Sequence, residues 1–454
     1  MAQCAKNCFN VHNNITVTNL TTSKGQGILT YQPIMPSKIS TPHFTSALKD
    51  PDIRFWIGSV GFFTLGSRAL AVVIGFQIYK MTHSALCLGW LGLIEAIPAL
   101  SLVLIGGYVA DHFSRRKILL ITRGSSCLCG IALAALSVQN HAHSLIGLYS
   151  VIFAAGIARG FADPANTAFE AQVVPKTMTV NGSSWIASVW VGCSIIGPAL
   201  IGFVFEAWGA YGSYLLITTF FILSWFSTLA IGPKPQIMPQ QKEPILKSIT
   251  MGWRFVLSQQ PLWGGMTLDL IAVLFGGVIA LLPIYATDIL HVGAKGLGLL
   301  NAATSVGALS MMLYATKHPP IAKAGRNLLI TVAGFGLSVL IFGFSKNFIL
   351  SLAALALSGV FDGVSMVIRR SMVRLLSPDD MRGRISAVSW VFICSSNELG
   401  AFESGMVAAW IGAIPCVAVG GAITLGVVGI TAWLAPQLRK LRFDPHTMER
   451  VYLP

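Results

Sequence analysis

Apolar residues in this chain run in uninterrupted stretches of about 19 to 26, each long enough to cross a hydrocarbon layer of about 30 Å as a helix. Twelve such stretches are read, at 54–79, 86–110, 118–138, 144–168, 183–207, 211–231, 263–287, 296–315, 327–345, 348–371, 385–409 and 414–434. The longest internal connection, 232–262, divides them six and six. It opens irregularly with Pro233, Pro235, Pro239 and Pro244, then sets Lys247 and Arg254 among Ile249, Trp253 and Phe255, the pattern of a helix lying along a membrane surface. The pattern thus predicts an all-α polytopic membrane protein with six-helix bundles over 51–231 and 263–435, a linker with an amphipathic helix over 232–262, and tails at 1–50 and 436–454. The first tail lacks the apolar core of a signal peptide and is expected to be disordered.

The two halves resemble each other. A shift of 203 residues places Gly160 on Gly363, Pro175 on Pro378, Gly197 on Gly400, Gly202 on Gly405, Gly209 on Gly412 and Ala210 on Ala413, with no gaps. A constant offset over about 50 residues or more reads as an internal repeat. Spans 4 to 6 therefore pair with spans 10 to 12, as two pseudo-symmetric copies of one six-helix unit.

Composition agrees: of 454 residues, 54% are apolar and 11% charged, against about 25% charged in soluble domains. The net charge of +14 is spread over short turns, not gathered in a nucleic-acid-binding block. The turns on one face hold 17 Lys or Arg and those on the other hold three, Lys80, Lys295 and Lys346. That bias predicts that both termini are cytoplasmic. No phosphate-cradling Gly-Lys-Ser/Thr loop is present, so ATP is not expected to drive the protein. His141 and His143 have no third ligand nearby, and no nucleophile and base stand together, so neither a metal, a cofactor nor an enzyme is expected.

Between spans 2 and 3 runs Gly107-Tyr-Val-Ala-Asp111-His112-Phe-Ser114-Arg115-Arg116-Lys117. A glycine, an aspartate four residues later and then a basic cluster at this place resemble the signature of the major facilitator superfamily, with His112 and Ser114 departing from its usual Arg and Gly. That resemblance implies two bundles rocking about a midplane site, with this turn as a cytoplasmic gate whose Asp111 meets the N-terminus of span 11 when the cytoplasmic side is shut. Phe55-Trp56-Ile-Gly58, Ala158-Arg159-Gly160-Phe161-Ala-Asp163-Pro164-Ala165, Pro378-Asp-Asp-Met381-Arg382-Gly383-Arg384 and Asn397-Glu398-Leu-Gly400-Ala-Phe402-Glu403-Ser404-Gly405 resemble the enterobactin-exporter branch. This implies efflux of a siderophore or other amphiphile from a bacterial cytoplasm. Gly197-Pro198-Ala-Leu-Ile201-Gly202 resembles part of the superfamily's antiporter signature, though Cys193 and Ile201 replace two of its glycines.

Charges within spans cost about 2.5 to 3.5 kcal/mol each at a helix centre, so they face protein, water or a partner. They are Arg68, Glu95, Arg159, Asp269, Asp362, Glu398 and Glu403, with Asn397 beside them. The 203-residue shift sets Arg159 on Asp362, opposite charges on equivalent helices; they either line one cavity or pair with each other. Arg68 can grip a carboxylate or catecholate through its planar fork, with Glu95 as its structural alternative. Glu398 and Glu403 lie about 140° apart around a helix, so they face different ways unless Gly400 bends it. A carboxyl group in an apolar cavity can exchange a proton, which makes Asp362, Glu398, Glu403 and, less so, Asp269 candidate carriers. Gly197, Pro198, Gly202, Gly400 and Gly405 suit close helix packing.

The expected protein is a monomeric, proton-coupled secondary exporter of a small amphiphilic, anionic metabolite, set in the lipid bilayer of a bacterial inner membrane. Multidrug efflux is one alternative, and a non-transporting sensor or assembly protein with the same fold is another.

Overall fold

The computed structural model describes residues 47–138, 143–235, 245–378, 381–443 and 450–451, and from Ala47 onward the chain forms one compact unit. Residues 1–46 of the expected tail, His141, Pro239 and Pro244 of the linker, and residues 444–449 and 452–454 lie outside the described residues.

Long apolar runs with few interior breakers fold as helices, since lipid leaves each backbone N–H and C=O no partner but its own helix. The first half holds α1 (Pro51–Thr82), α2 (Ala85–His112), α3 (Arg115–Val138) and α4 (His143–Val173), then Thr179–Ala230. That last stretch is two helices, α5 (179–208) and α6 (210–230), which meet at Gly209 with φ +65°. The connection carries α7 (Ile245–Ser258). The second half holds α8 (Gln260–Gly276), α9 (Gly293–Lys317), α10 (Ala324–Phe344), α11 (Phe348–Leu376), α12 (Arg382–Ile411) and α13 (Ala413–Leu434), followed by the short α14 (Pro436–Lys440). Among the described residues, ten helices are long and apolar enough to cross a membrane, with α5 and α6 counted as one and α12, which carries Glu398 and Glu403, not counted. Split and completed, these are twelve crossings, and the chain is a multi-pass membrane protein. Trp410 and Trp433, at opposite ends of the bundle, are 77% and 80% exposed, as suits interfacial aromatic belts.

Four helix boundaries show local causes. Asp50 accepts from the Asp52 N–H at 2.9 Å with Pro51 at the first position of α1. Asn347 caps α11 by accepting from the Ile349 and Leu350 N–H groups. Gly209 and Gly412, equivalent under the 203-residue shift, both have positive φ, +65° and +90°, and turn the chain between paired helices.

The seventh span departs from the single helix expected at 263–287. After α8 it breaks at Gly277 and continues as a 3-10 turn (Val278–Leu281), one α-turn (Leu282–Ile284) and a π-turn (Tyr285–Ile289). Pro283 has no N–H for the ladder and Gly277 imposes little helical preference, so the run is apolar throughout yet irregular.

Among the described residues, buried apolar side chains gather in three clusters. One is confined to the first half near the 107–117 turn (Ile53, Trp56, Ala110, Leu119, Phe169). A second belongs to α7 and the second half (Val256, Leu262, Leu328, Met372, Leu438). The third, at the other end of the helices, is shared by both halves (Val73, Ile78, Ile201, Leu282, Tyr285, Leu297). The halves are therefore welded at one end and separately packed at the other, which we term the basic face after Arg115, Arg116 and Lys117.

Small residues make the weld. A Cβ on Gly202 would stand 2.7 Å from the Ala294 carbonyl oxygen of α9, and one on Gly405 would stand 2.5 Å from Gly89 Cα of α2. These equivalent glycines thus make the two crossings between halves, α5 on α9 and α12 on α2. Gly197 and Gly400 do the same within halves, against the carbonyl oxygens of Leu65 and Leu274 at 3.0 and 2.8 Å.

Candidate functional site

Halfway along the helices, where the weld ends, Arg159 of α4 sits among three carboxylates. Its Nη1 donates to Glu95 Oε1 of α2 at 2.9 Å and to Glu398 Oε1 of α12 at 3.1 Å, and its Nε lies 3.6 Å from Asp163 Oδ2. Glycines bring the three helices to this level. A Cβ on Gly156, one turn before Arg159, would meet the Glu95 carbonyl oxygen at 2.5 Å; one on Gly92, one turn before Glu95, would meet Ala401 of α12 at 2.9 Å. The Arg159 and Glu95 side chains are 37% and 38% exposed, so the cluster opens into the cleft. The Arg159–Glu398 bond joins the two halves at their centre.

Arg68 of α1 faces the same cleft within electrostatic range of Arg159, Glu398 and Glu95. Glu95, its expected structural partner, is instead taken by Arg159. Among the described residues no carboxylate stands within 4 Å of Arg68; its guanidinium lies over the Trp190 ring, 5.6 Å from the centroid.

Arg159 and Asp362 do not pair. Asp362 belongs to a second cluster, within the second half, centred on Arg369. Arg369 binds Asp269 through a short bond, lies 3.7 Å from Asp362 Oδ1, and donates from Nε to Ser365 Oγ at 3.2 Å. Leu262, Met266, Met372, Ser389 and Phe392 line the adjoining pocket. Of the other α12 residues, Asn397 donates to the Ile393 carbonyl oxygen of its own helix at 2.8 Å, and Glu403 accepts from Ser404 Oγ at 3.4 Å. Glu398 and Glu403 thus have separate surroundings, and Gly400 packs on α8.

Two bases counted with the turns lie inside the bundle instead. Arg123 is 2% exposed and donates to Thr228 Oγ1, Asn166 Oδ1 and the Ser224 carbonyl oxygen. Arg369, 14% exposed as a side chain, holds the second cluster. Both helices place these bases on inward faces, and the positions of their partners in the chain gave no local signal.

In the 107–117 turn, Asp111 lies 3.8 Å from Arg115 Nη2. Arg115 Nη1 donates to the Ala168 carbonyl oxygen of α4 and Arg116 Nη2 to that of Leu229 in α6, while Lys117 is exposed. The turn thereby ties α2 and α3 to α4 and α6. Since α2 meets α12 at the welded end, Asp111 is turned to its own half in this conformation. Among the described residues no group lies within 4 Å of the Cβ position of Gly107.

At the welded end Tyr79 of α1 donates a short bond to Asp288, joining the halves again. His83 packs edge-on against Tyr79 with centroids 5.6 Å apart. Among the described residues, no group of three or more His, Cys, Asp or Glu is placed to hold a metal ion.

Twelve crossing helices in two copies of a six-helix unit, with an open charged cleft between them, define a polytopic transporter. The chain belongs to the Major Facilitator Superfamily, whose family model matches residues 56–401, and it is a transporter, not an enzyme. It is 28% identical over 388 residues to the enterobactin exporter EntS of Citrobacter koseri, covering 83% of this chain and 90% of that protein. It is 29% identical over 391 residues to the enterobactin exporter EntS of Escherichia coli (strain SMS-3-5 / SECEC), covering 84% and 90%. In fold it is similar to a POT family transporter solved in complex with 5-aminolevulinic acid, with a TM-score of 0.68 at 12% identity over 85% of this chain and 96% of that one.

Proposed function

We infer that this transporter is a secondary active exporter of a bacterial inner membrane, moving a siderophore-like amphiphilic anion outward by alternating access in exchange for protons. The observation that carries the reading is the Arg159–Glu398 bond, the ion pair that spans the two halves at the floor of the cleft. The similarity to enterobactin exporters supports the direction and substrate class. The Lys and Arg bias toward the basic face, which persists without Arg123 and Arg369, supports a cytoplasmic basic face, with both termini on that side. The cleft in this conformation then opens to the cytoplasm.

In this reading the bodies that rock are 51–231 and 263–435, joined by the 232–262 linker, and the working unit is a monomer without ATP. A proton on Glu398 and an anionic group on Arg159 are alternative ways of breaking one ion pair. Each permits the halves to move, so the two ligands cross in turn. Arg68 adds a second cation for the substrate, while Asp269 and Asp362 stay committed to Arg369. Once the cleft opens outward, Asp111 meets the N-terminal end of α12 and closes the cytoplasmic side.

The test is flux of an anionic siderophore in proteoliposomes with and without an imposed pH gradient. Gradient-driven flux in the wild type, and flux that no longer responds to the gradient in Glu398→Gln, is the expected result. Wild-type flux indifferent to the gradient would remove the proton from the cycle.

A further inference from the structure

Among the described residues three cations lie against aromatic rings, and they differ in what their N–H groups do. Arg123 covers Trp56 and Phe63, 5.2 and 5.6 Å from the centroids, and is fully enclosed with its donors given to Thr228, Asn166 and the Ser224 carbonyl. That pair is part of the core. Lys295 over Phe203, at 4.9 Å, sits beside the welded α5–α9 crossing. Arg68 over Trp190 is different, because both side chains are exposed and none of the Arg68 donors is bound to a carboxylate among the described residues.

Position decides which solvent that exposure faces. Trp190 precedes Gly197 by seven residues, almost two helical turns, so both lie on one face of α5. Gly197 packs against Leu65 and Arg68 of α1, and Arg68 lies in electrostatic range of Arg159, Glu95 and Glu398. That face is therefore the α1 side of the charged cleft, with Trp190 almost two turns nearer the basic face than Gly197 and about three turns nearer than Gly202 of the weld. The indole is 43% exposed there. A charged guanidinium with unspent donors and a flat π-surface thus stand together on the wall of the cleft, both carried by the first half.

Chemically, such a pair offers two things at once. The guanidinium fork donates to anionic oxygens, and the indole with the guanidinium laid on it forms a platform for a ring. An aliphatic anion can use only the first, a neutral arene only the second. We propose that Arg68 and Trp190 form a substrate subsite for a flat aromatic group bearing negative charge, in which Trp190 selects aromatic over aliphatic anions. The proposal rests on the exporter reading and narrows it to a chemical class. Arg159 can meet an anionic group only by giving up Glu398, and among the described residues no aromatic ring lies against its guanidinium, so the choice of aromatic over aliphatic anions falls to Arg68 and Trp190.

The test is equilibrium binding to the purified full-length protein, with 2-hydroxybenzoate and cyclohexanecarboxylate as matched probes. The wild type should bind 2-hydroxybenzoate about tenfold more tightly, the size expected of one stacking contact. Trp190→Leu should reduce that preference to about twofold or less while leaving the aliphatic probe unchanged, and Trp190→Phe should keep most of it. Arg68→Gln should weaken both probes about tenfold or more, as loss of a charge-assisted hydrogen bond implies. Gradient-driven siderophore flux in the same preparations separates the two readings. A wild type that transports but binds both probes equally, or a Trp190→Leu protein that keeps the preference, overturns the subsite and leaves the exporter standing. A wild type that shows the preference but no flux overturns the exporter and leaves an aromatic-anion site.

Discussion

Two arginine-centred clusters occupy equivalent helices of the two halves, and they are built for different ends. In α4, Arg159 reaches out of its own half to Glu398. In α11, Arg369 stands where the 203-residue shift puts Asn166, and it holds Asp269 and Asp362 without leaving the second half. Asn166 in turn accepts from buried Arg123, so each half has an inner arginine that braces its own helices. The charges are alike; what differs is whether a bond crosses the surface along which the halves move. A pair that crosses it must break in every cycle, while a pair within one half can last through all of them.

The sharpest way to break this comparison is to remove each arginine. Arg369→Gln leaves Asp269 enclosed without its counter-charge, at a cost of about 3–5 kcal/mol. It should lower the unfolding midpoint strongly in thermal scans, and adding Asp269→Asn should restore much of it. Arg159→Gln should leave the midpoint nearly unchanged, since Arg159, Glu95 and Asp163 are each over a third exposed and only Glu398, at 19%, is more enclosed. Its flux should fall by about 100-fold, as expected for two lost charge-assisted bonds. An equal loss of stability in both variants would erase the distinction.

A smaller effect is expected at the weld. Gly405→Val forces a side chain into Gly89 of α2, and overpacking of this kind costs about 1–3 kcal/mol. The halves should part at that end, so labelling of thiols placed near it should accelerate while the inner Arg369 cluster is undisturbed. The smallest change is Tyr79→Phe, which removes one bond to Asp288 and should raise the same accessibility by about tenfold or less, as for a single hydrogen bond to a charged group.

Much of the fold was legible because a membrane span announces itself by length and apolarity alone. The irregular seventh span was not, since Gly277 and Pro283 interrupt the backbone without interrupting the hydropathy. The site was legible by position and not by pairing. Arg68, Glu95, Arg159 and Glu398 stand out as charges in apolar runs, and the structure gathers them at one level of the cleft. Which acid meets which base depends on how each helix is rotated, and glycines such as Gly92 and Gly156 set that closeness without advertising it. Hence Arg159 met Glu95 and Glu398, and Asp362 met Arg369. Trp190 escaped notice because an aromatic residue in a span looks the same whether it faces lipid or cleft.

The central claim is that the Arg159–Glu398 bond holds the halves in the conformation open to the basic face. Spin labels on Met81→Cys and His291→Cys, exposed residues at the welded ends of the first and seventh spans, report that conformation in the full chain embedded in lipid nanodiscs. At neutral pH the wild type should give one short distance. Acid pH and Glu398→Gln should each move a substantial fraction of molecules to a longer distance, and acid should add nothing further in Glu398→Gln. A distance distribution that ignores both the proton and the substitution would contradict the account.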